Sequence, residues 1–260
     1  MSNEKKIKFQ NLHSIFDNFV ILLRNMKNSI KIIQGWRTMK KFLSQLLPAF
    51  TNTPVSADGL PLEDLKDIQN IPITSLVFDS REVTKDSLFF ALPGTHIDGN
   101  VFIPDAISAG ANAVIFQGEL STELKIKIAK AITARVFENE ISSEKEKFAP
   151  ALIKVPDARF SMAPVSDRFY DSPSKRLIVI GVTGTEGKSS TVSFIWQLLR
   201  VCGQKEGFIS TVEYSFGGDA LPNPQHQTTP EAPIIQHHLN EMLENGCKYA
   251  VVESSSHGLS

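Results

Sequence analysis

The feature that constrains the fold most is a glycine-rich loop between an apolar run and an amphipathic segment. Residues 176–180 have the apolar pattern of a buried β-strand, residues 181–190 read Gly-Val-Thr-Gly-Thr-Glu-Gly-Lys-Ser-Ser, and residues 191–202 have apolar side chains at helical spacing. Glycines at such a junction allow successive backbone N–H groups to point at phosphate oxygens, and the positive end of the helix adds to the attraction. The sequence therefore predicts a phosphate-binding loop in a parallel sheet.

Two side chains of this loop have predictable roles. Lys188 is expected to reach the β- and γ-phosphates of a nucleotide, and the Ser189 hydroxyl is expected to ligate Mg²⁺. The spacing differs from the common GxxxxGK[ST] pattern, because the leading glycine, Gly181, lies one position earlier than that pattern requires. An ordinary glycine turn is the alternative, and the flanking strand and helix patterns favour phosphate binding.

A carboxylate at the end of a second apolar run supports this interpretation. Residues 249–252 have the composition of another buried strand, and Glu253 follows directly. Side chains at the C-terminal ends of parallel strands gather at one edge of the sheet, so Glu253 is expected beside the loop, where it can hold Mg²⁺. A solvent-exposed acid at a strand end is the alternative.

The preceding part of the chain also alternates strand and helix patterns. Strands are predicted at residues 75–78, 88–91, 113–116 and 151–155, helices at 102–110 and 122–131, and a solvated loop at 138–147. Asp157 is placed to cap the next helix, which Pro164 is expected to start, kink or divide. The predicted fold class is α/β, with a small α/β domain followed by a partial phosphate-loop parallel-sheet ATPase domain.

The polar turn sequence at residues 171–174 is the predicted boundary between these domains, which therefore span 39–170 and 171–260. Residues 1–38 differ from the rest, with seven basic residues against two acidic ones and apolar positions that would share one helix face. A basic amphipathic membrane-surface helix is one interpretation. A non-native, disordered or over-extended start is favoured, because residues 39–47 have the pattern of an ordinary first helix.

Composition argues against several classes of protein. The 260 residues are 42% hydrophobic with a net charge of -1, which gives no electrostatic reason to expect binding to nucleic acid or an anionic membrane. Two separated cysteines make neither a disulfide framework nor a zinc site, so a reducing, cytoplasmic compartment is expected. The longest strongly apolar run near the start is too short for a membrane span.

Several motifs together resemble the Mur ligases, in particular the type that adds the third amino acid to UDP-N-acetylmuramoyl-L-alanyl-D-glutamate. The loop at 181–190 resembles that family's GxxGTNGK[ST][ST] sequence, which accounts for the unusual glycine spacing. Residues 228–231 (Thr-Thr-Pro-Glu) and 253–259 (Glu-Ser-Ser-Ser-His-Gly-Leu) resemble two further motifs. Upstream, residues 79–81 (Asp-Ser-Arg) and 94–99 (Gly-Thr-His-Ile-Asp-Gly) resemble the family's uridine-nucleotide-binding domain.

The resemblance, which covers most of residues 73–260, implies a role for each matching position. The phosphates of ATP would be bound by Gly184, Thr185, Glu186, Gly187, Lys188, Ser189 and Ser190. Ser189 and Glu253 would ligate Mg²⁺, and Lys188 and Glu253 would be the catalytic residues. The UDP part of the substrate would contact Phe78, Ser80, Thr95, His96 and Ile97, and the muramoyl-peptide end would contact Thr228, Thr229 and Ser255. His257 belongs to the third motif without an assigned role.

For a complete family member, the resemblance implies ATP-dependent amide bond formation in peptidoglycan synthesis, and so in cell wall biogenesis. ATP would phosphorylate the terminal D-glutamate carboxylate, and the amine of a diamino acid would displace phosphate from the acyl phosphate. A cytoplasmic monomer is expected. The alternatives are the related ligase that adds D-Ala-D-Ala, a module that binds UDP-muramoyl-peptide without catalysis, and a generic P-loop ATPase or kinase. The last leaves the upstream motifs unexplained.

The sequence departs from the family pattern in three places. Glu186 stands where the family usually has asparagine, and an acid beside the triphosphate is expected to weaken ATP binding. Asn100 replaces the basic residue often found after Asp-Gly. Family members continue with further strands, more metal ligands and a third domain, whereas this sequence ends at Ser260. We therefore expect no ligase activity from this chain alone, and an exposed apolar edge on its second sheet.

Overall fold

The computed structural model describes residues 39–46, 71–94, 97–141, 149–224 and 228–255. The segment at 1–38 lies outside the described residues, so both interpretations of it stay predictions. Within the described ranges, two separate sheets carry most of the structure, and a short antiparallel pair of strands precedes them. Helices and parallel strands alternate in both sheets, which confirms the predicted α/β class.

The first sheet consists of four parallel strands paired in the order of the sequence. The elements of this half are β1 (Lys41–Phe42), α1 (Leu43–Leu46), β2 (Pro72–Ile73), β3 (Ser75–Val77), β4 (Ser87–Phe90), α2 (Ile103–Ala109), β5 (Ala111–Phe116), α3 (Thr122–Ile141), β6 (Ala151–Lys154) and α4 (Ala158–Phe169). The sheet order is β3-β4-β5-β6. Each predicted strand of this half is thus present, within one or two residues of its expected ends.

Both faces of the first sheet are covered, and each face has its own core. Leu88, Phe90 and Ile115 point to one side and pack in a buried cluster with residues of α1 and α4. Phe89 and Val114 point to the other side and pack with α2 and α3. Successive residues of a strand point to opposite faces of the sheet, and here both faces are buried. Both sets of side chains are therefore apolar, which gives the continuous apolar run expected of a parallel sheet between helix layers.

One predicted detail of this half is wrong, and of the three effects expected of Pro164 only a kink stays a prediction. The charged stretch predicted as a loop from residue 138 begins as helix, because α3 continues through Ile141, and glutamate is compatible with a helix interior. Pro164 neither starts nor divides α4, which begins where the Asp157 carboxylate accepts a hydrogen bond from the Phe160 N–H at 2.8 Å. Proline removes one N–H donor, and packing of the buried Val165 and Phe169 keeps the helix continuous.

The second sheet has three parallel strands with two antiparallel strands added at one edge. Its elements are β7 (Ile178–Val182), α5 (Lys188–Val201), β8 (Glu206–Ile209), β9 (Glu213–Ser215), β10 (Leu221–Pro222), α6 (Ala232–Glu244) and β11 (Tyr249–Glu253). The order is β10-β9-β8-β11-β7. Strand β11 therefore lies between two strands that precede it in the sequence, and its last four residues are buried.

Strand β7 lies at the edge of the second sheet, so the prediction of a buried strand here is wrong. Ile178 and Val179 are 56% and 41% exposed. On α5, the apolar side chains of Phe194 and Leu198 are also exposed. An apolar run is compatible with central and edge strands alike, and only the neighbouring strands decide between them. The predicted exposed apolar edge is confirmed for the described residues.

A tight turn connects the two halves at the predicted boundary. Asp171 and Ser172 have φ values of 57° and 53°, a left-handed conformation that short polar side chains adopt more readily than others. Lys41 forms a 2.6 Å ion pair with Asp171, and α4 packs against α6, where Arg159 and Glu231 form an ion pair. Residue 171 as a domain boundary stays a prediction. Among the described helices, none combines the length and apolarity needed to cross a membrane.

We predict that Gly207 in β8 tolerates no side chain. A Cβ atom at this position would lie 2.6 Å from the Ser215 carbonyl oxygen and 2.7 Å from Cγ of Met242. Gly207→Ala is expected to lower the free energy of unfolding by about 1–3 kcal/mol through overpacking. Gly181→Ala in β7 is the matched control, because a Cβ there meets no atom within 4 Å. Denaturant titration of both variants tests this, and equal losses would contradict it.

We also predict that His238 makes the fold sensitive to acid. Burial, followed by the nearby His237, lowers the pKa of His238 from 6.5 to about 4, and Nδ1 of His238 has no hydrogen-bond partner in the described structure. The unfolded imidazole is protonated below pH 6.5 while the folded one stays neutral, so protonation favours unfolding in this interval. The free energy of unfolding should fall by about 1–3 kcal/mol as the pH drops from 6.5 towards 4.

Urea titrations of wild type and His238→Gln across this pH interval measure the effect. The variant, which carries no ionisable group at this position, should lose less stability on acidification than wild type. An identical pH dependence in both proteins would refute the assignment to His238.

Candidate functional site

Three strands of the second sheet end side by side at one edge. In the parallel ladders, Glu253 at the end of β11 pairs with Val182 at the end of β7, and Val252 pairs with Ile209 at the end of β8. The segments that follow these strands are therefore neighbours: residues 183–187, 210–212 and 254–255. This carboxyl edge of a parallel sheet is where ligand-binding side chains gather, and most of the predicted nucleotide and peptide site lies here.

The loop between β7 and α5 has a backbone suited to anions. Gly184 and Gly187 have φ values of 154° and 74°, which side chains rarely allow. Gly187 is the N-cap of α5, so the helix begins at Lys188, earlier than the predicted residue 191. The unpaired N–H groups of the first helical turn thus lie within the loop, where an anion is attracted by them and by the helix dipole.

The side chains of the loop are arranged around this turn. The Lys188 ammonium donates hydrogen bonds to the carbonyl oxygens of Gly184 and Thr185 at 3.0 and 3.1 Å, so its charge lies over the loop. Glu186 and Ser190 are exposed. The loop therefore carries one cation, Lys188, and one exposed anion, Glu186.

Glu253 is the most buried polar group of the site, at 1% exposure. Its Oε2 accepts hydrogen bonds from the Ser189 hydroxyl at 2.9 Å and from the Thr211 N–H at 2.9 Å. Its Oε1 accepts from the Thr211 hydroxyl at 3.1 Å. These contacts bring together the end of β11, the first turn of α5 and the end of β8, as the sequence predicted for Glu253 and Ser189.

The residues present fit a divalent cation bound together with phosphate. A buried carboxylate that has only neutral donors keeps a charge that is costly to bury, and a cation offsets that cost. The Ser189 hydroxyl and the Glu253 carboxylate are the hard oxygen ligands that Mg²⁺ prefers. In the described part of the chain, no cluster of three or more His, Cys, Asp or Glu residues forms a metal site by itself. Such a cation would thus need oxygen atoms of a bound phosphate to complete its coordination.

The stretch at residues 228–231 is held on three sides. Thr228 accepts a hydrogen bond from the Thr211 hydroxyl at 3.0 Å. The Thr229 hydroxyl lies 3.0 Å from the Ser255 hydroxyl and accepts from the Ser255 N–H at 2.8 Å. Glu231 is the N-cap residue of α6 and pairs through its carboxylate with Arg159 of the first half. Of the three residues predicted to contact the peptide end, Thr228 is therefore linked through Thr211 and Glu253 to the glycine-rich loop. Thr229 contacts the third, Ser255, which follows shortly after Glu253 in the chain.

The described residues that are predicted to contact UDP lie in segments that follow strands of the first sheet. Phe78 follows β3 and packs against the core, Ser80 begins a 3₁₀ turn, and Ile97 is exposed at 57%. Thr95 and His96 lie outside the described residues. Phe78, Ser80 and Ile97 follow the carboxyl ends of β3 and β4 in the sequence, and such ends are the expected place for a ligand in a parallel sheet.

The 3₁₀ turn is fixed by an ion pair inside the Asp-Ser-Arg motif. Asp79 accepts hydrogen bonds from the Arg81 N–H at 3.0 Å and from its guanidinium. The side-chain bond from Arg81, followed by the backbone bond, lowers the pKa of Asp79 to about 2. Asp79 and Arg81 therefore hold the loop that presents Ser80.

Sequence reasoning missed two residues of this arrangement. Thr211 follows β8, a strand that no pattern indicated, and it contacts both Glu253 and Thr228. Arg159 lies on α4 far from the motifs in sequence. The only signal for Arg159 was its position in the first turn of the helix that Asp157 caps, which is too common a position to single it out. His257 lies outside the described residues, so its role stays open.

Comparison with known proteins gives two family matches. Residues 72–170 match the Mur ligase family, catalytic domain, and residues 182–260 match the Mur ligase middle domain. The first matched range contains the whole first sheet, and the second contains all strands of the second sheet except β7, of which only Val182 is matched. Both candidate groups of site residues therefore lie inside matched domains.

Similar curated proteins carry related names. The chain is 48% identical over 199 residues to the UDP-N-acetylmuramyl-tripeptide synthetase of Treponema denticola, covering 72% of the chain and 33% of that protein. It is 37% identical over 201 residues to the UDP-N-acetylmuramoyl-L-alanyl-D-glutamate--2,6-diaminopimelate ligase of Clostridioides difficile, covering 77% and 36%. The chain thus spans about a third of the length of these relatives.

A solved structure of a UDP-N-acetylmuramoyl-L-alanyl-D-glutamate--2,6-diaminopimelate ligase resembles the fold with a TM-score of 0.51. The identity is 23%, and the match covers 72% of the chain and 33% of that structure. At this identity the likeness concerns the fold alone. It agrees with the α/β architecture built from the strands above.

Proposed function

This chain belongs to the Mur ligase family, and we propose that it supplies the UDP-substrate-binding and ATP-binding parts of a ligase. That ligase adds a diamino acid to UDP-N-acetylmuramoyl-L-alanyl-D-glutamate in peptidoglycan synthesis. The observation that carries the proposal is the contact of Glu253 with both Ser189 of the phosphate loop and Thr211, which reaches Thr228. This contact joins a nucleotide site to a peptide site. Such a junction is what transfer of a phosphoryl group to a peptide carboxylate requires.

In this proposal, the two halves of the chain bind different ligands. Residues 39–170 bind the UDP part through Phe78, Ser80 and the segment 95–97, and residues 171–260 bind ATP and the peptide end. The reaction takes place in the cytoplasm. The related ligase that adds D-Ala-D-Ala is less compatible with the sequences at 228–231 and 253–259.

In the proposed reaction, the γ-phosphoryl group of ATP passes to the terminal D-glutamate carboxylate, and the amine of a diamino acid displaces phosphate. Lys188 and the N–H groups at the start of α5 bind and orient the phosphates and neutralise the charge of the transferring group. Thr228, Thr229 and Ser255 position the peptide end. No covalent enzyme nucleophile is required, because the attacking carboxylate belongs to the substrate.

Ser189 and Glu253 would hold Mg²⁺, which neutralises phosphate charge when it is bound. Glu253 is suited to this role because its carboxylate is buried and receives only neutral donors. Ser189 lies at 2.9 Å from that carboxylate, so both ligands already face one point of the site.

Isothermal titration with UDP-N-acetylmuramoyl-L-Ala-D-Glu and with Mg²⁺-ATP tests the proposal. Wild type should bind both ligands. Lys188→Ala should weaken ATP binding by at least about tenfold, the loss expected for one charged hydrogen bond, and should bind the UDP ligand as wild type does. Lys130→Ala is the matched control, because it removes the same charge from an exposed position on α3.

The outcomes separate the candidate functions. Binding of the UDP ligand without ATP binding would favour a recognition module that lacks catalysis. A folded chain that binds ATP and not the UDP ligand would leave a generic phosphate-loop protein. Release of ADP that depends on both the UDP ligand and a diamino acid would extend the proposal to ligation by this chain itself, against the expectation from the sequence.

We predict that Glu186 lowers the affinity for ATP. Its exposed carboxylate lies in the phosphate loop, where it repels the triphosphate. Glu186→Asn should bind Mg²⁺-ATP about three- to tenfold more tightly at low salt, and the gain should shrink at high salt because exposed charges are screened. Glu186→Asp, which keeps the charge, is the control. An unchanged affinity in the asparagine variant would show that the carboxylate turns away from the phosphates.

A further inference from the structure

The hydroxyl of Thr211 lies between the two halves of the site and has two acceptors. It is 3.1 Å from Oε1 of Glu253 and 3.0 Å from Oγ1 of Thr228, and it is placed to donate to either. A threonine hydroxyl carries a single proton, so it donates one full hydrogen bond at a time. The two contacts therefore compete for the same proton.

The other hydrogen bonds of Glu253 do not depend on which acceptor the Thr211 hydroxyl uses. Oε2 is held by the Thr211 N–H and the Ser189 hydroxyl, both at 2.9 Å. These bonds fix the carboxylate and the Thr211 backbone in place. Redirecting the Thr211 proton from Glu253 to Thr228 thus needs only rotation of the O–H bond, without movement of any heavy atom.

The direction of this bond changes what Thr228 offers to a ligand. When Thr211 donates to Thr228, it polarises the Thr228 hydroxyl, because chains of hydrogen bonds strengthen one another. Thr228 then becomes a better donor to an anionic oxygen. When Thr211 donates to Glu253 instead, Thr228 loses this support.

We propose that Thr211 is a positioning residue that couples the two ligands of the site. Once a cation bound with nucleotide engages the Glu253 carboxylate, the Thr211 proton is directed to Thr228, and Thr228 binds the anionic end of the muramoyl peptide more tightly. This inference rests on the proposed function, which supplies both ligands. Coupling between two binding equilibria is reciprocal, so the peptide ligand must tighten nucleotide binding by the same factor.

The coupling is measured by titrating UDP-N-acetylmuramoyl-L-Ala-D-Glu with and without saturating Mg²⁺ and a non-hydrolysable ATP analogue. Wild type should bind the UDP ligand about three- to tenfold more tightly in the presence of the nucleotide, the size expected for one redirected hydrogen bond. Thr211→Val has nearly the same shape without the hydroxyl, and its ratio of the two affinities should be one. Thr211→Ser keeps the hydroxyl and should restore the ratio.

The ratio distinguishes coupling from a merely structural role, because a general loss of packing would weaken both affinities and leave their ratio unchanged. A ratio of one in wild type that binds both ligands would overturn the coupling and leave the proposed function standing. A wild-type ratio retained in Thr211→Val would overturn it as well. If wild type binds neither ligand, the proposed function fails and the coupling fails with it.

A second variant covers the case in which Thr211→Val does not fold, as judged by circular dichroism. Thr228→Val removes the other end of the bond and leaves the contacts of Glu253 with Thr211 intact. Its affinity ratio should also be one. A ratio above threefold in this variant would contradict the inference.

Discussion

The burial of the Glu253 carboxylate is the constraint on which the second half of this structure depends. A buried charge needs donors, and the donors here come from the first turn of α5 and from the segment after β8. Their bonds to one side chain fix the phosphate loop and the end of β8 relative to β11. The strand order follows the same logic, because β11 must lie between β7 and β8 for Glu253 to reach both.

Local patterns were sufficient to predict the parts of the site that one segment builds alone. The phosphate loop follows from its glycines, and its unusual positive φ angles occur at Gly184 and Gly187 as such a loop requires. The strand that delivers Glu253 was recognisable because all of its preceding residues are apolar or aromatic. The strands of the first sheet were predictable for the same reason, since a parallel sheet covered on both faces has continuous apolar runs.

Features that depend on neighbours could not be predicted in this way. Strand β8 contains Glu206 and Gly207, residues that are uncommon in strands, and its burial comes from β11 on one side and β9 on the other. Gly207 is there because the Ser215 carbonyl and Met242 occupy the space of a side chain. Because β8 could not be recognised, no local pattern indicated that Thr211 lies near Glu253. The exposure of β7 could not be predicted either, because its apolar residues have the same pattern as those of a buried central strand.

The stretch at 228–231 is contacted by residues from both halves of the structure. Thr228 accepts a hydrogen bond from Thr211, and Glu231 forms an ion pair with Arg159 of the first half. An ion pair that is partly exposed contributes at most about 1 kcal/mol to stability, so Arg159 does little to hold the halves together. Its effect is geometric, because it fixes where α6 begins relative to α4. In the proposed function, the substrate is bound at its uridine end by the first half and reaches this stretch with its peptide end. The distance that it spans would then be set by the position of α4, which carries Arg159, and by the turn at residues 171–172. The accuracy of that spacing matters more for the proposed reaction than the energy of the contacts that maintain it, because a misplaced carboxylate loses the alignment with the phosphoryl group.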